Sequence, residues 1–162
     1  MKMRALKSSH GFTLIELAVT VAIVGLLASI AVPTVELAVQ RNREQELRLD
    51  LREIRRAIDA YKLAYDEGRV VKTVGDSGYP PSLRVLVDGI ADASSANHSK
   101  MYFLRRIPRD PLALDADIAP EQTWGLRSYA SEPDNPQEGA DVFDVYSKSN
   151  AVALNGVPYL EW

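Results

Sequence analysis

A run of 24 residues near the start of the chain, Phe12 to Val35 (FTLIELAVTVAIVGLLASIAVPTV), contains a single ionisable side chain, Glu16. At about 1.5 Å per residue the run makes roughly 36 Å of helix, enough to span the hydrocarbon of a bilayer. Lys2, Arg4 and Lys7 precede it. A secretory signal peptide fits those cations, the apolar core and the small-residue stretch Ser29 to Ala31. A plain signal anchor fits the length. Neither accounts for Glu16. An acid at the centre of a spanning helix costs about 2.5–3.5 kcal/mol, less near the interface, and marks a functional residue whose partner has to be named.

The 162 residues leave room for one domain beyond this run. A hydrophobic content of 46% with 25% charged residues is ordinary for a globular protein. Mean hydropathy of −0.14 excludes a polytopic membrane protein. A formal net charge of −3 argues against nucleic acid as a partner, because phosphate binding needs clustered cations. The chain has no cysteine, which removes disulfides, thiolate metal ligands and cysteine nucleophiles together. His10 and His98 lie far apart and read as solvated residues.

The stretch KSSHG followed by FTLIELAVTVAIVGLLASIAVP resembles the class III leader and N-terminal helix of type IV pilins and type II secretion pseudopilins. The likeness is carried by the short basic leader, Gly11, aromatic Phe12, Glu16 as the fifth residue after Gly11, and Pro33. In that family a prepilin peptidase cuts on the cytoplasmic side, here between Gly11 and Phe12, and methylates the new amine. The resemblance thus implies N-methylation at Phe12 and an apolar segment retained on the mature chain. It also implies a partner for Glu16, the Phe12 amine of a neighbouring subunit. A cationic terminus at the edge of a low-dielectric layer is costly unless paired, and low dielectric strengthens the attraction that pairs it. The plainer alternative is a glutamate reaching back to the headgroups. Basic residues alone do not orient the segment, since Lys2, Arg4 and Lys7 on one side are matched by Arg41, Arg43 and Arg48 on the other. The resemblance places residues 1–11 in the cytoplasm, residues 12–35 in the bacterial inner membrane as a single pass, and the rest in the periplasm.

Residues 36–67 read as the amphipathic continuation of the same helix. After Pro33 the chain meets no further proline or glycine until Gly68. Leu47, Leu51, Ile54, Ile58, Tyr61 and Tyr65 recur at helical spacing and form one apolar face. Glu44 with Arg48, and Glu53 with Arg56, are placed to pair along the exposed side. Gly68 is the expected stop. Phe12 to Glu67 would then make a nearly continuous helix of about 84 Å. The stripe lasts under three heptads before a domain follows, which favours packing on that domain over a coiled coil. Pro33 removes one backbone hydrogen bond and should kink the helix. With Gly25 it marks the weakest part, and the resemblance adds that this part unwinds in assembled filaments.

Residues 68–162 lack long helical periodicity and read as a loop-and-sheet domain. Tyr79 to Gly89 holds a short helix, Ala91 to Lys100 a mobile polar loop, and Arg105 to Gln122 an irregular, proline-containing stretch. Trp124 to Ser131 and Val142 to Ser149 read as strands, and Asn155-Gly156 signals a hairpin. The expected fold is α+β: the long helix packed on a three- or four-stranded antiparallel sheet, each burying the other's apolar face. The motifs LAYDEG, GYPPSLRVLV, IPRDPLA and FDVYSKSNA, in that order, are similar to the G-type major pseudopilins of type II secretion. Those relatives carry an aspartate-rich calcium loop after the corresponding strand. Here the tail from Lys148 to Trp162 has Glu161 as its sole carboxylate. Asp144 with amides and carbonyls would make a poor calcium site. The reading is therefore no metal and no cofactor, with an ordinary hairpin anchored by Tyr159 and Trp162.

The acids Asp110, Asp115, Asp117, Glu121, Asp134, Glu138, Asp141 and Asp144 read as solvated surface charge rather than a catalytic pair. No nucleophile elbow, phosphate loop, zincin or dinucleotide motif occurs. The chain thus reads as a structural subunit and not an enzyme. The resemblance implies a helical homo-oligomeric filament, with prepilin peptidase, minor pseudopilins and an inner-membrane assembly platform as further partners. A type IV pilus subunit is the alternative, and a signal-anchored periplasmic enzyme or binding domain the distant one.

Overall fold

The computed structural model describes residues 11–97 and 99–162. The basic leader at residues 1–10, His98, and the side chains of residues 30–33, Pro33 among them, lie outside the described residues. The chain divides into two compact units, one ending at Gln40 and one from Arg41 to Trp162. Helix α1, Leu14–Asp66, contributes to both.

In the first unit α1 opens with a cap. Thr13 Oγ1 accepts the Glu16 N–H at 3.3 Å, which satisfies one of the donors a helix start leaves without a partner. Further along, Thr20 and Ser29 donate their hydroxyls to the carbonyls of Leu17 and Leu26, so these two hydroxyls are satisfied by the helix itself. Phe12, Leu14, Ile15, Leu17, Ile23 and Leu26 are all exposed.

In the second unit one face of α1 supplies the core. Leu47, Leu51, Ile54, Ile58 and Tyr61 are buried, with Ala57 and Ala64 beside them, and Tyr65 packs half-buried at the edge. The helix ends where expected. The Gly68 N–H bonds the Tyr65 carbonyl and the Arg69 N–H bonds the Ala64 carbonyl, with Gly68 at φ 75°, a Schellman closure that glycine adopts without strain. Helix α2, Leu83–Asp88, buries Leu83 and Leu86 in the same core.

The strands are shorter than the sequence suggests and do not form one sheet. β1 (Ile90–Ala91) pairs antiparallel with β2 (Lys100–Met101), and β3 (Trp124–Arg127) with β4 (Asp144–Ser147), as two separate two-stranded sheets. The tail does not join as a third or fourth strand; it forms a single bridge, Val152 to Pro158. The bridge is flanked by the Tyr159 N–H bond to the Ala151 carbonyl at 3.2 Å, and the Leu154 N–H in the turn beyond it goes to the Glu44 carboxylate at 2.8 Å. The Asn155-Gly156 turn is nonetheless present, closed by Ala153 N–H to Val157 O at 3.0 Å.

The Ala91 to Lys100 segment, read as a mobile loop, is closed at its base by the β1–β2 pair and by Asp92, which binds Arg69 at 2.6 Å and the Ser94 hydroxyl at 2.6 Å. In the β3–β4 pair Gly125 lies opposite Tyr146, whose ring occupies the place of a side chain; a Cβ there would meet it at 2.3 Å. Trp124, 1% exposed, donates its indole N–H to the Pro108 carbonyl at 2.8 Å and so fixes the proline-containing segment to the sheet.

Candidate functional site

The residues singled out from sequence divide between the two units. Gly11 and Phe12 precede α1 and are exposed. Glu16 follows in the first helical turn, three residues after the capping Thr13. Thr-x-x-Glu is the capping-box spacing, a signal legible in the sequence that the membrane argument passed over. An acid in the first turn is also favoured by the helix dipole. Glu16 therefore suits its position before any neighbour is considered. Gly25 is exposed, with open space around its Cα. None of these residues is covered by the chain's own fold: every residue from Gly11 to Ser29 is exposed. Length and composition suffice for a membrane crossing.

The stripe residues sit together in the core of the second unit, and the row extends one step further back than expected, to Glu44. That carboxylate is buried, only 4% exposed. Its Oε1 accepts the Leu154 N–H at 2.8 Å and the Tyr159 hydroxyl at 2.9 Å, and Arg48 stands 3.8 Å from Oε2. The expected solvent-facing Glu44–Arg48 pair is thus corrected: Glu44 points inward and holds the tail. The spacing 44, 47, 51 continues the stripe, so the signal was periodicity, overlooked because the residue is charged.

The surface reading of the acids is corrected at three further positions. Asp110 is 2% exposed; its Oδ2 accepts the Ser147 hydroxyl at 2.6 Å and its Oδ1 the Leu112 N–H at 2.8 Å. Asp141 binds the Ser128 hydroxyl and the Tyr129 N–H. Burial works against its charged form, but hydrogen bonds from Ser77, Tyr129 and Ser128 outweigh it and hold the carboxyl below the ordinary range. Asp144 forms an ion pair with Arg55 at 2.7 Å. The same guanidinium reaches the carbonyls of Val145, at 3.1 Å, and Trp162, at 2.6 Å. The oxygens that meet at the start of β4 thus already surround a cation, the Arg55 guanidinium, with one carboxylate side chain among them. These acids serve the fold.

A family model described as the prokaryotic N-terminal methylation motif matches residues 6–32. Among curated proteins, the type II secretion system core protein G of Klebsiella pneumoniae is 28% identical over 141 residues, covering 84% of this chain and 93% of the relative. That of Vibrio cholerae serotype O1 is 31% identical over 113 residues, 70% of this chain and 72% of the relative. The chain belongs to the core protein G family of type II secretion pseudopilins. The pseudopilin from Pectobacterium carotovorum subsp. carotovorum is 30% identical over 127 residues, 77% of this chain and 76% of the relative. No solved structure matches the chain at comparable significance. Family membership decides between the secretion and pilus readings in favour of secretion. It also frames the two halves of this pseudopilin: a motif for N-terminal methylation at the head of an uncovered apolar helix, and a self-contained folded unit behind it.

Proposed function

We propose that this pseudopilin is cut by prepilin peptidase between Gly11 and Phe12, methylated at Phe12, and held in the inner membrane by residues 12–35 until it polymerises into a periplasmic filament. The role is mechanical, not catalytic. Minor pseudopilins and an inner-membrane platform are its partners in assembly. The single observation that supports this most is the exposure of every described side chain in the apolar part of α1. A surface of that size is stable only in lipid or against other apolar helices, and a helical filament of identical subunits supplies the second when the subunit leaves the first. Glu16 pairs with the Phe12 amine of the next subunit, its position in the first turn keeping it beside the new terminus. Gly25 and Pro33 form the yielding part of the segment.

Mass spectrometry of the mature N-terminus tests the processing step. A methylated Phe12 is the expected result; an intact eleven-residue extension in secretion-competent cells would refute the proposal. Glu16→Ala should be cut normally yet give no regular filaments by electron microscopy of overproducing cells. Normal filaments from that variant would exclude the pairing.

A further inference from the structure

Arg55 projects from the long helix into a cluster of oxygens that belong to distant parts of the chain. Its Nε lies 2.7 Å from Asp144 Oδ1, and its Nη2 reaches Asp144 Oδ2 at 3.5 Å, the Val145 carbonyl at 3.1 Å and the Trp162 carbonyl at 2.6 Å. We propose that Arg55 is the resident cation of the segment following β4, so that closure of this tail on α1 is independent of calcium or any other divalent ion.

The argument rests on which groups meet and what each can do. One carboxylate and two backbone carbonyls, converging from the beginning of β4 and from residue 162, form an electronegative pocket that needs a positive charge. A guanidinium meets that need with a permanent charge and several N–H donors in a fixed planar fork, which engage acceptors lying in different directions. Being covalently part of α1, it cannot dissociate, and no free-ion concentration sets its occupancy. A calcium ion entering the same oxygens would meet a fixed positive charge beside one carboxylate, and the remainder of the tail offers Glu161 alone as a further acid. Neighbouring groups strengthen the closure. Arg48 lies over the Trp162 ring at 4.2 Å, Trp162 packs edge-on to Tyr159 at 5.2 Å, and Tyr159 reaches Glu44. The tail is thus held at one end by an anion of α1 and at the other by two cations. Lysine in place of Arg55 would bring the charge without the fork.

This inference concerns the isolated subunit and stands whether or not the chain polymerises. The test uses the full-length protein in detergent, with thermal unfolding followed by tryptophan fluorescence and with trypsin cleavage at Lys148 as a local probe of the tail. Wild-type Tm should agree within about 1 °C in millimolar EDTA and in millimolar calcium chloride. Arg55→Met should lower Tm by about 5 °C or more and speed cutting at Lys148 about tenfold. Arg55→Met combined with Asp144→Asn should lose less than the sum of the two single losses. A calcium-dependent rise in wild-type Tm would overturn the proposal, as would an Arg55→Met protein with wild-type Tm and cleavage rate. If Arg55→Met does not fold, Asp144→Asn decides: an unchanged Tm overturns the proposal, and a lowered Tm that calcium does not restore supports it.

Discussion

At the scale of single residues, burial and not charge decides which acids matter. Glu44 combines a nearly inaccessible carboxylate with two donors from the tail. Glu44→Ala leaves the Leu154 N–H and the Tyr159 hydroxyl without that acceptor and should cost about 2–4 kcal/mol by denaturant unfolding. Glu44→Gln keeps an oxygen for the same donors and should fall between the two. Gly125 shows the reverse case, an absent side chain that the fold requires. Because the Tyr146 ring lies over its Cα, Gly125→Ala forces the ring or the strand to shift and should destabilise by about 1–3 kcal/mol in the same measurement. The first residue was legible in the sequence as the next step of an apolar period. The second was not, since nothing in the spacing says which residue of β4 faces Gly125.

At the scale of elements, α1 was the most readable part of the chain and the strands the least. A helix writes its buried face at a fixed period, and Leu47 to Tyr61 display it without interruption. The strands run to four residues at most, too short for alternation to register, and they end where side chains and loops take over the backbone partners. Two acids on these elements titrate in opposite senses. Asp50 on α1 is pushed up to about 6, first by burial and then by Glu46, Glu53 and Asp110, against a weaker pull from Arg106. Above that pH the folded state carries a charge it holds poorly, so the loss is complete at neutral pH and is relieved as pH falls toward the unfolded value of about 4. Asp50→Asn should therefore raise Tm at about pH 7 and change it little near pH 4. Asp92, just after β1, behaves the other way. Hydrogen bonds from Arg69 and then Ser94 hold its carboxyl well below the usual range. Its contribution is complete above the unfolded value and is lost on acidification. Asp92→Asn should lower Tm at neutral pH, the gap to wild type narrowing as pH falls below about 4. Thermal scans across pH check both.

At the scale of the whole molecule, the second unit contains its own core, two short sheets and the clamp on its tail. A fragment spanning residues 41–162 should therefore be a soluble monomer that unfolds cooperatively, whereas the full chain should need detergent; size exclusion and calorimetry check this. The sequence sets residues 12–35 apart from the charged helix that follows through hydropathy alone, because the two differ so sharply in composition. It did not reveal how the domain is closed, since closure depends on residues 107 to 115 positions apart. That separation sets an order of events during synthesis. Arg55 and Glu44 leave the ribosome long before Val145, Leu154, Tyr159 and Trp162 can reach them. The domain consequently waits, anchored and incomplete, until its last residues arrive, and a chaperone or protease meeting it in that interval encounters an open helix face rather than a finished fold.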